Sequence, residues 1–132
     1  MNDDERVALV RRAVDSFARA DFESVLAVLD PDVEWPDFRG EGVLRGRDAV
    51  RRYWQDIFER SRPSVLLGHV FAIGADVMAV AYVQLYDLKG HPIGDPSAQT
   101  QRFIFNDDLV AKMETSRLEV IPEEILDIFR SS

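Results

Sequence analysis

The stretch at residues 30–54, DPDVEWPDFRGEGVLRGRDAVRRYW, predicts a change from helix to strand and back to helix. Asp30 ends a helix, because the residue before a proline is pushed out of the helical region. Residues 33–37 predict a short strand, and Pro36 indicates that this strand is irregular or lies at an edge of its sheet. A loop at residues 39–46 follows and contains three glycines.

Three helices are predicted in the first half of the chain. The first spans about residues 4–20, where apolar residues recur at helical spacing, and Asn2 with Glu5 resembles a capping box. Asp21 is expected to cap a short second helix that carries one apolar stripe. The third helix spans about Arg47–Arg60, and its apolar side consists of Val50, Tyr53, Trp54, Ile57 and Phe58.

The second half of the chain is rich in β-branched and aromatic residues. It predicts four strands and a last helix after Pro122, the strands at residues 64–73, 77–87, 97–105 and 109–121. Helices first and consecutive strands second are typical of an α+β fold. We expect a single domain over residues 1–132, with three N-terminal helices packed on a highly curved, mainly antiparallel β-sheet. Such packing would leave a cone-shaped cavity between the helices and the sheet.

The composition argues against several classes of protein. The 132 residues include no cysteine, which excludes disulfides and thiolate sites. The net charge of −8 disfavours nucleic-acid binding, which normally needs a basic face. With no apolar run near the roughly 18 residues of a membrane span and no signal-peptide core, we expect a cytoplasmic protein without a membrane partner. The two histidines, His69 and His91, lie far apart, so we expect no catalytic metal.

Three motifs carry a family resemblance that extends over almost the whole chain. They are ADFESVLAVLDPDVEW at residues 20–35, GRDAVRRYW at residues 46–54 and RFIFNDDLVAKME at residues 102–114. Together with the order of the predicted elements, they resemble the nuclear transport factor 2-like superfamily, and especially its SnoaL-like and ketosteroid-isomerase-like branches. The resemblance implies the cone-shaped fold and a ligand pocket inside the cone.

The isomerase comparison can be followed residue by residue. The family's proton-shuttling aspartate falls on Asp37. The oxyanion-binding tyrosine of the first helix falls on Ala13, the protonated aspartic acid falls on Gln101, and a supporting tyrosine falls on Trp54. The resemblance therefore implies that the base is kept and that both strong oxyanion donors are lost. Because such donors usually supply the largest catalytic contribution, true steroid isomerase activity is not expected.

Asp37 and His69 are the predicted catalytic residues. Apolar neighbours raise the pKa of a carboxyl group, so we expect Asp37 to be a general base with a raised pKa. The alternative is an aspartate that caps a turn beside glycine and proline. His69 lies in the middle of a strand, where its near-neutral pKa suits an acid–base partner, although a lone histidine there is more often structural.

Eight residues are predicted to contact a ligand: Trp35, Tyr53, Trp54, Tyr82, Gln84, Tyr86, Gln101 and Met113. Strand alternation sorts residues 77–87 into an aliphatic face and a face with two tyrosines and a glutamine. The resemblance places the second face in the cone, whereas periodicity favours packing of the aliphatic face on the helices. Gln101 is expected to point inward, where its amide could donate to a ligand carbonyl. The large aromatic residues of the set could also be core residues.

Two functions remain open from these expectations. The first is a cofactor-free enzyme that performs proton transfer of the isomerase or cyclase type on an apolar carbonyl compound. The alternative is a non-catalytic ligand-binding or assembly domain of the same fold. Epoxide hydrolysis is a weaker third, because its arginine and two aspartates cannot be placed on inward positions. We further expect a small apolar or polar-aromatic ligand, and a homodimer through the open sheet face, where Leu66, Val70 and Ile104 need cover.

Overall fold

The structure is a computed structural model that describes residues 1–40 and 42–131. Its helices are α1 (Asp3–Ala18), α2 (Phe22–Leu26), α3 (Arg47–Arg60) and α4 (Glu123–Arg130). Its strands are β1 (Leu29–Pro36), β2 (Val43–Arg45), β3 (Arg62–Ile73), β4 (Asp76–Tyr86), β5 (Pro92–Asn106) and β6 (Leu109–Leu118). Strands β1 and β2 lie between α2 and α3 along the chain, and α4 follows the last strand.

All six strands form one mixed sheet in the order β2-β1-β6-β5-β4-β3. Strands β1 and β6 pair in parallel, and every other neighbouring pair is antiparallel. The prediction of an α+β fold is therefore confirmed. Strand β2 falls inside the segment predicted as a loop, because its pairing with β1 is a tertiary contact that the local sequence does not signal. Residue 41 of that segment lies outside the described residues.

The predicted start of α1 is confirmed. The side chain of Asn2 accepts a hydrogen bond from the backbone N–H of Glu5 at 2.8 Å, and the carboxylate of Glu5 accepts one from the N–H of Asn2 at 3.1 Å. The two bonds satisfy two of the N–H groups that lack a partner within the helix. Helix α1 ends two residues earlier than predicted, and Ala20 turns the chain with a left-handed φ of 59°.

Helices α1, α2 and α3 share one core with the sheet on one of its faces, here called the inner face. Val77 and Ala79 of β4 are fully buried on this face, in a cluster with Val10 of α1 and Val50 of α3. Helix α1 lies over β3 and β4, and α3 lies over β1. Because β6 and β5 are the central strands, their inner faces lie between the two helices.

A cluster of aromatic rings fills the space beneath α1, α2 and α3. Trp54 meets Phe17, Phe22 and Trp35 with ring centroids 5.4, 5.7 and 5.6 Å apart. Phe58 lies edge-on to Phe17, with centroids 5.3 Å apart. Tilted and edge-on aromatic pairs each contribute about 0.5–1.5 kcal/mol beyond the area they bury. The cluster therefore ties the three helices to β1.

Two expectations about the sheet faces are wrong. The aliphatic face of β4 is the inner one, so Met78, Val80 and Tyr82 lie on the opposite face, here called the outer face. Val70 was expected on that open face, but it is 8% exposed and packs in the core. The register of β3 shifts between Leu67 and Val70, and a shift of one residue moves a side chain to the other face.

Among residues 1–40 and 42–131, none of the helices is long and apolar enough to cross a membrane.

Candidate functional site

Gln101 is the polar side chain on which the candidate site centres. It lies on the inner face of β5, opposite Ala79 of β4 and Thr115 of β6. Gln101 is 9% exposed, and its side chain makes no hydrogen bond to any residue in the described parts of the chain. Its amide atoms are not sealed off, since only Nε of Arg6 is both fully buried and without a partner among the described residues. An accessible amide without a protein partner can form hydrogen bonds with water or with another molecule.

Two further polar side chains lie beside Gln101. Thr115 of β6 lies opposite Gln101 in the sheet. Gln99 lies two residues before Gln101, on the same face of β5. Both are half-buried, and neither side chain has a hydrogen-bond partner in the part of the chain that the structure describes. We call Gln99, Gln101 and Thr115 the neutral polar strip, because it offers donors and acceptors without formal charge.

The residues around the neutral polar strip are mostly small or aromatic. Ala79 and Ala81 of β4 face it from one side, and both are fully buried. On the same face of the sheet, Phe103 pairs with Met113, and the ring of Phe103 lies 6.4 Å from that of Trp35. Small residues next to polar groups, with aromatic walls around them, are typical of a small-molecule site.

Asp37 follows directly after β1 and is held by Arg39. The guanidinium of Arg39 donates to both oxygens of Asp37, from Nε at 3.1 Å and from Nη2 at 3.3 Å. The backbone N–H of Arg39 donates to the same carboxylate at 3.0 Å. These bonds to Arg39 hold the pKa of Asp37 below its ordinary value. The expected rise in the pKa of Asp37 is therefore wrong, because the turn supplies an ion pair where apolar neighbours were predicted.

Arg39 also links Asp37 to α3. Its guanidinium carbon lies 4.6 Å from the ring centroid of Tyr53, and its Nη1 donates to Asp56 at 3.4 Å. The hydroxyl of Tyr53 accepts the backbone N–H of Phe38 at 3.2 Å. Burial raises the pKa of the Tyr53 phenol. The loop after β1 is thus fastened to α3 through both residues, and Arg39 was overlooked in the sequence although it is two positions from Asp37.

Comparison with protein-family models gives one match, to the SnoaL-like domain, over residues 10–113. The chain belongs to the SnoaL-like domain family. No match is found among curated proteins.

Three solved structures illustrate the similarity of this fold to known proteins. An NTF2-like protein of unknown function from Burkholderia pseudomallei is 17% identical with a TM-score of 0.73, over 94% of this chain and 96% of that chain. A putative polyketide cyclase from Xanthomonas campestris is 22% identical with a TM-score of 0.72, over 84% and 89%. An LEH-like epoxide hydrolase from M. tuberculosis is 18% identical with a TM-score of 0.75, over 97% and 89%. At these identities the likeness concerns the fold.

Four of the residues predicted to contact a ligand are core residues of this SnoaL-like domain. Trp35, Tyr53, Trp54 and Met113 are buried and belong to the central cluster. Only part of their surface could face a ligand, so their ligand contacts stay a prediction. Thr115 was overlooked in the sequence, although its two-residue spacing from Met113 places both on one face of a strand.

The three predicted ligand contacts of β4 have other roles in the SnoaL-like domain. Tyr82 lies on the outer face. The amide of Gln84 is 4% exposed and donates to the backbone carbonyls of Leu85, Ile93 and Gly94 at 2.9, 3.4 and 3.2 Å. The hydroxyl of Tyr86 donates to the carbonyl of Phe129 at 3.3 Å and so anchors α4. The expectation that this face lines the space between helices and sheet is wrong, because the aliphatic face packs there.

His69 and Asp37 are not brought together. His69 is exposed at the register shift of β3, with its ring 5.0 Å from that of Phe71. Strands β6, β5 and β4 separate β3 from β1, after which Asp37 lies. The two residues therefore do not form the acid–base pair that was expected. Within the described residues, no group of histidine and acidic side chains is arranged to hold a metal ion.

Proposed function

We propose that this SnoaL-like domain binds a neutral, carbonyl-bearing small molecule on the inner face of the sheet between α1 and α3. The observation that carries the proposal is the amide of Gln101, which is nine-tenths buried and has no partner among the described residues. The amide N–H would donate to the ligand carbonyl, and the amide oxygen could accept from a ligand hydroxyl. A ligand that makes both bonds removes the cost of leaving them unmade.

The preference for a neutral ligand follows from the composition of the neutral polar strip. Gln99, Gln101 and Thr115 carry no formal charge, and the alanines and aromatic rings around them are apolar. A charged ligand beside Gln101 would lose its hydration without gaining an ion pair there, because the charged residue on this face of β6, Arg117 opposite Gln99, has a side chain that is 82% exposed. A carbonyl on an apolar skeleton loses much less, because one or two hydrogen bonds satisfy it.

Binding without turnover is the function that the geometry supports best. In the comparison with the ketosteroid-isomerase-like branch, Ala13 stands where that branch has its phenol, and Gln101 stands where it has a protonated acid. Asp37 is paired with Arg39, which weakens its basicity. A ligand held on the inner face in this way would be stored or presented and not converted.

A second candidate function is proton transfer of the isomerase or cyclase type, with Asp37 as the base. Two observations favour it: the similarity in fold to the putative polyketide cyclase from Xanthomonas campestris, and the place of Asp37 directly after β1. This chemistry would require Asp37 to be released from Arg39, because a paired carboxylate with a lowered pKa is a poor base.

The proposal can be tested with 9-fluorenone, a neutral aromatic ketone, and fluorene, the hydrocarbon that lacks its carbonyl. Binding would be followed by quenching of the two tryptophans, Trp35 and Trp54, which lie 5.6 Å apart in the core. We expect the ketone to bind several-fold more tightly than the hydrocarbon, since one hydrogen bond contributes about 1 kcal/mol.

The matched variants are Gln101→Leu and Gln55→Leu, which make the same change on β5 and on the exposed side of α3. We expect Gln101→Leu to abolish the preference for the ketone and Gln55→Leu to keep it. Equal affinities for ketone and hydrocarbon in the wild-type protein would contradict the proposal.

We also propose that two copies of the chain associate through the outer face. That face carries the half-buried apolar side chains of Met78, Val80 and Ile104 and a groove of about 410 Å³. Arg102 of β5 and Glu114 of β6 are register partners in the sheet. The carboxylate of Glu114 makes no ion pair within the described residues. In a two-fold dimer, Glu114 of each copy could meet Arg102 of the other, because such an interface is self-complementary.

A further inference from the structure

A second cleft lies at the opposite side of the domain from β3, where β2 forms the edge of the sheet. It has a volume of about 450 Å³ and is lined by Arg39, Leu44, Ala49, Arg52, Tyr53 and Asp56. Four of these residues belong to α3 at positions spaced by three and four, so they form one stripe of that helix. None of the lining residues lies on β5 or β6, so the cleft is separate from the neutral polar strip.

The carboxylates at this cleft are already paired. Asp37 is bound at both oxygens by Arg39. Asp56 accepts from Arg39 at 3.4 Å and from Arg60 at 2.7 Å. Arg52, by contrast, makes no hydrogen bond or ion pair with any residue in the described parts of the chain. Around the cleft there are thus three arginines and two aspartates, namely Arg39, Arg52, Arg60, Asp37 and Asp56. One positive charge has no partner, although the net charge of the protein is −8.

The cleft also offers hydrogen-bond donors in excess. The guanidinium of Arg39 uses Nε, Nη1 and Nη2 on the two aspartates, and its carbon lies over the ring of Tyr53. The hydroxyl of Tyr53 serves as an acceptor for Phe38, so its own proton is available to a further acceptor. All five donors of Arg52 are available in the described structure. A group that accepts several bonds and carries a negative charge is the natural complement.

We propose that this cleft binds the carboxylate of a small organic acid, with the guanidinium of Arg52 as its two-pronged partner. A planar carboxylate matches the fork of a guanidinium, and the pair forms two parallel charge-assisted bonds. The side chains of Leu44 and Ala49 offer apolar contacts in the cleft. An organic acid can use these contacts, whereas an inorganic anion cannot. The site is distinct from the proposed carbonyl site.

The test uses benzoate as the probe and follows the arginine Nε–Hε signals of the isotope-labelled protein by NMR. We expect benzoate to shift the signals of Arg52 and Arg39, and benzamide, its neutral analogue, to leave them in place. The variant Arg52→Gln should weaken benzoate binding by about tenfold or more, since a hydrogen bond to a charged group is worth roughly that factor. The matched control Arg11→Gln removes the same charge from the exposed side of α1 and should leave the affinity unchanged.

A second variant fills the cleft and leaves every charge in place. Ala49→Leu should reduce benzoate binding while Arg52 is retained, and circular dichroism would verify that α3 is intact. Full benzoate affinity in Arg52→Gln, or equal binding of benzamide, overturns the proposal. Inorganic phosphate that binds as tightly as benzoate overturns the assignment to an organic acid. Loss of 9-fluorenone binding in Gln101→Leu is independent of all these outcomes, so the two sites can fail separately.

Discussion

Arg39 holds Asp37 at both carboxylate oxygens, with Nε 3.1 Å from Oδ1 and Nη2 3.3 Å from Oδ2. The two residues are separated by one position, so a tight turn after β1 is enough to bring them together. The pairing keeps Asp37 ionised and joins the loop to α3 through Asp56. Catalysis by Asp37 as a base would therefore require this ion pair to open.

The first prediction concerns the pKa of Asp37. In Arg39→Gln we expect this pKa to rise toward the ordinary aspartate value, because the hydrogen bonds that lower it come mainly from Arg39. The carboxyl carbon of Asp37 can be titrated by NMR in both proteins. An unchanged pKa would mean that another group holds the carboxylate, and Arg11→Gln controls for the loss of one positive charge.

The same pair predicts the direction of the pH dependence of stability. The folded pKa of Asp37 lies below its unfolded value, so the pair stabilises the folded state at pH values above the unfolded pKa of about 3.9. That contribution is lost as the pH falls through the lowered folded pKa. We therefore expect the difference in unfolding free energy between wild type and Arg39→Gln to shrink in acid. A difference that grows in acid would contradict the assignment. The difference in unfolding free energy should be small at all pH values, because solvent screens an ion pair at an exposed position.

The second prediction concerns Gln84. We expect Gln84→Leu to lower the free energy of unfolding by about 0.5–1.5 kcal/mol, because it removes the amide that donates to three backbone carbonyls. The amide donates to three carbonyls where the register between β4 and β5 shifts. Urea unfolding would measure the change, with Gln55→Leu as the exposed control. Equal destabilisation by both variants would show that the bonds of Gln84 are not the cause.

The third prediction concerns the aromatic cluster. We expect Trp54→Ala to destabilise the fold by about 3–5 kcal/mol, because it opens a cavity between α1, α2 and β1. Trp54 is 3% exposed and touches three other aromatic rings. Thermal and urea unfolding would both report the loss. The neighbouring Gln55→Ala should stay within about 0.5 kcal/mol of wild type, as is usual for exposed substitutions.

The fourth prediction separates binding from catalysis. We expect Asp37→Asn to leave the affinity for 9-fluorenone unchanged, because the proposed polar contact is Gln101. If a substrate of the cyclase or isomerase type is identified, retained binding with lost turnover in Asp37→Asn would support the second candidate function. Equal turnover in wild type and Asp37→Asn would remove Asp37 from any catalytic role.

The fifth prediction concerns association through the outer face. We expect the wild-type protein to sediment as a dimer at micromolar concentration and Ile104→Glu to sediment as a monomer, because a buried unpaired charge is costly. Leu88→Glu makes a similar change in the turn between β4 and β5, where Leu88 is exposed, and should leave the dimer intact. A wild-type monomer would rule out the proposed association.

Much of the fold was predictable because its signals are local. The Asn2–Glu5 capping box, the helix that begins at Arg47 and the long strands of the second half all appear near their predicted positions. Capping, spacing of apolar residues and β-branched runs act within a few positions of one another. Strand β2 was not predictable, because three residues become a strand only through pairing with β1.

The candidate site was predictable only in part. Gln101 points inward as expected because it shares alternation with Phe103, a large apolar residue that must be buried. For β4, alternation favoured the aliphatic face on the helices, as observed, whereas the resemblance favoured the opposite face. The environment of Asp37 is partly local, because a tight turn brings Arg39 onto it, and partly tertiary, because Tyr53 and Asp56 of α3 also contact that arginine.

The sequence by itself determined the α+β class, the order of the long elements and the type of side chain available to a ligand, because these depend on local pattern and composition. Only the tertiary structure decided which sheet face meets the helices, and hence that Tyr82 lies outside and Gln101 inside. The physical reason is that register shifts and helix packing act on the whole sheet at once. A shift of one residue exchanges the two faces of a strand without changing its local pattern.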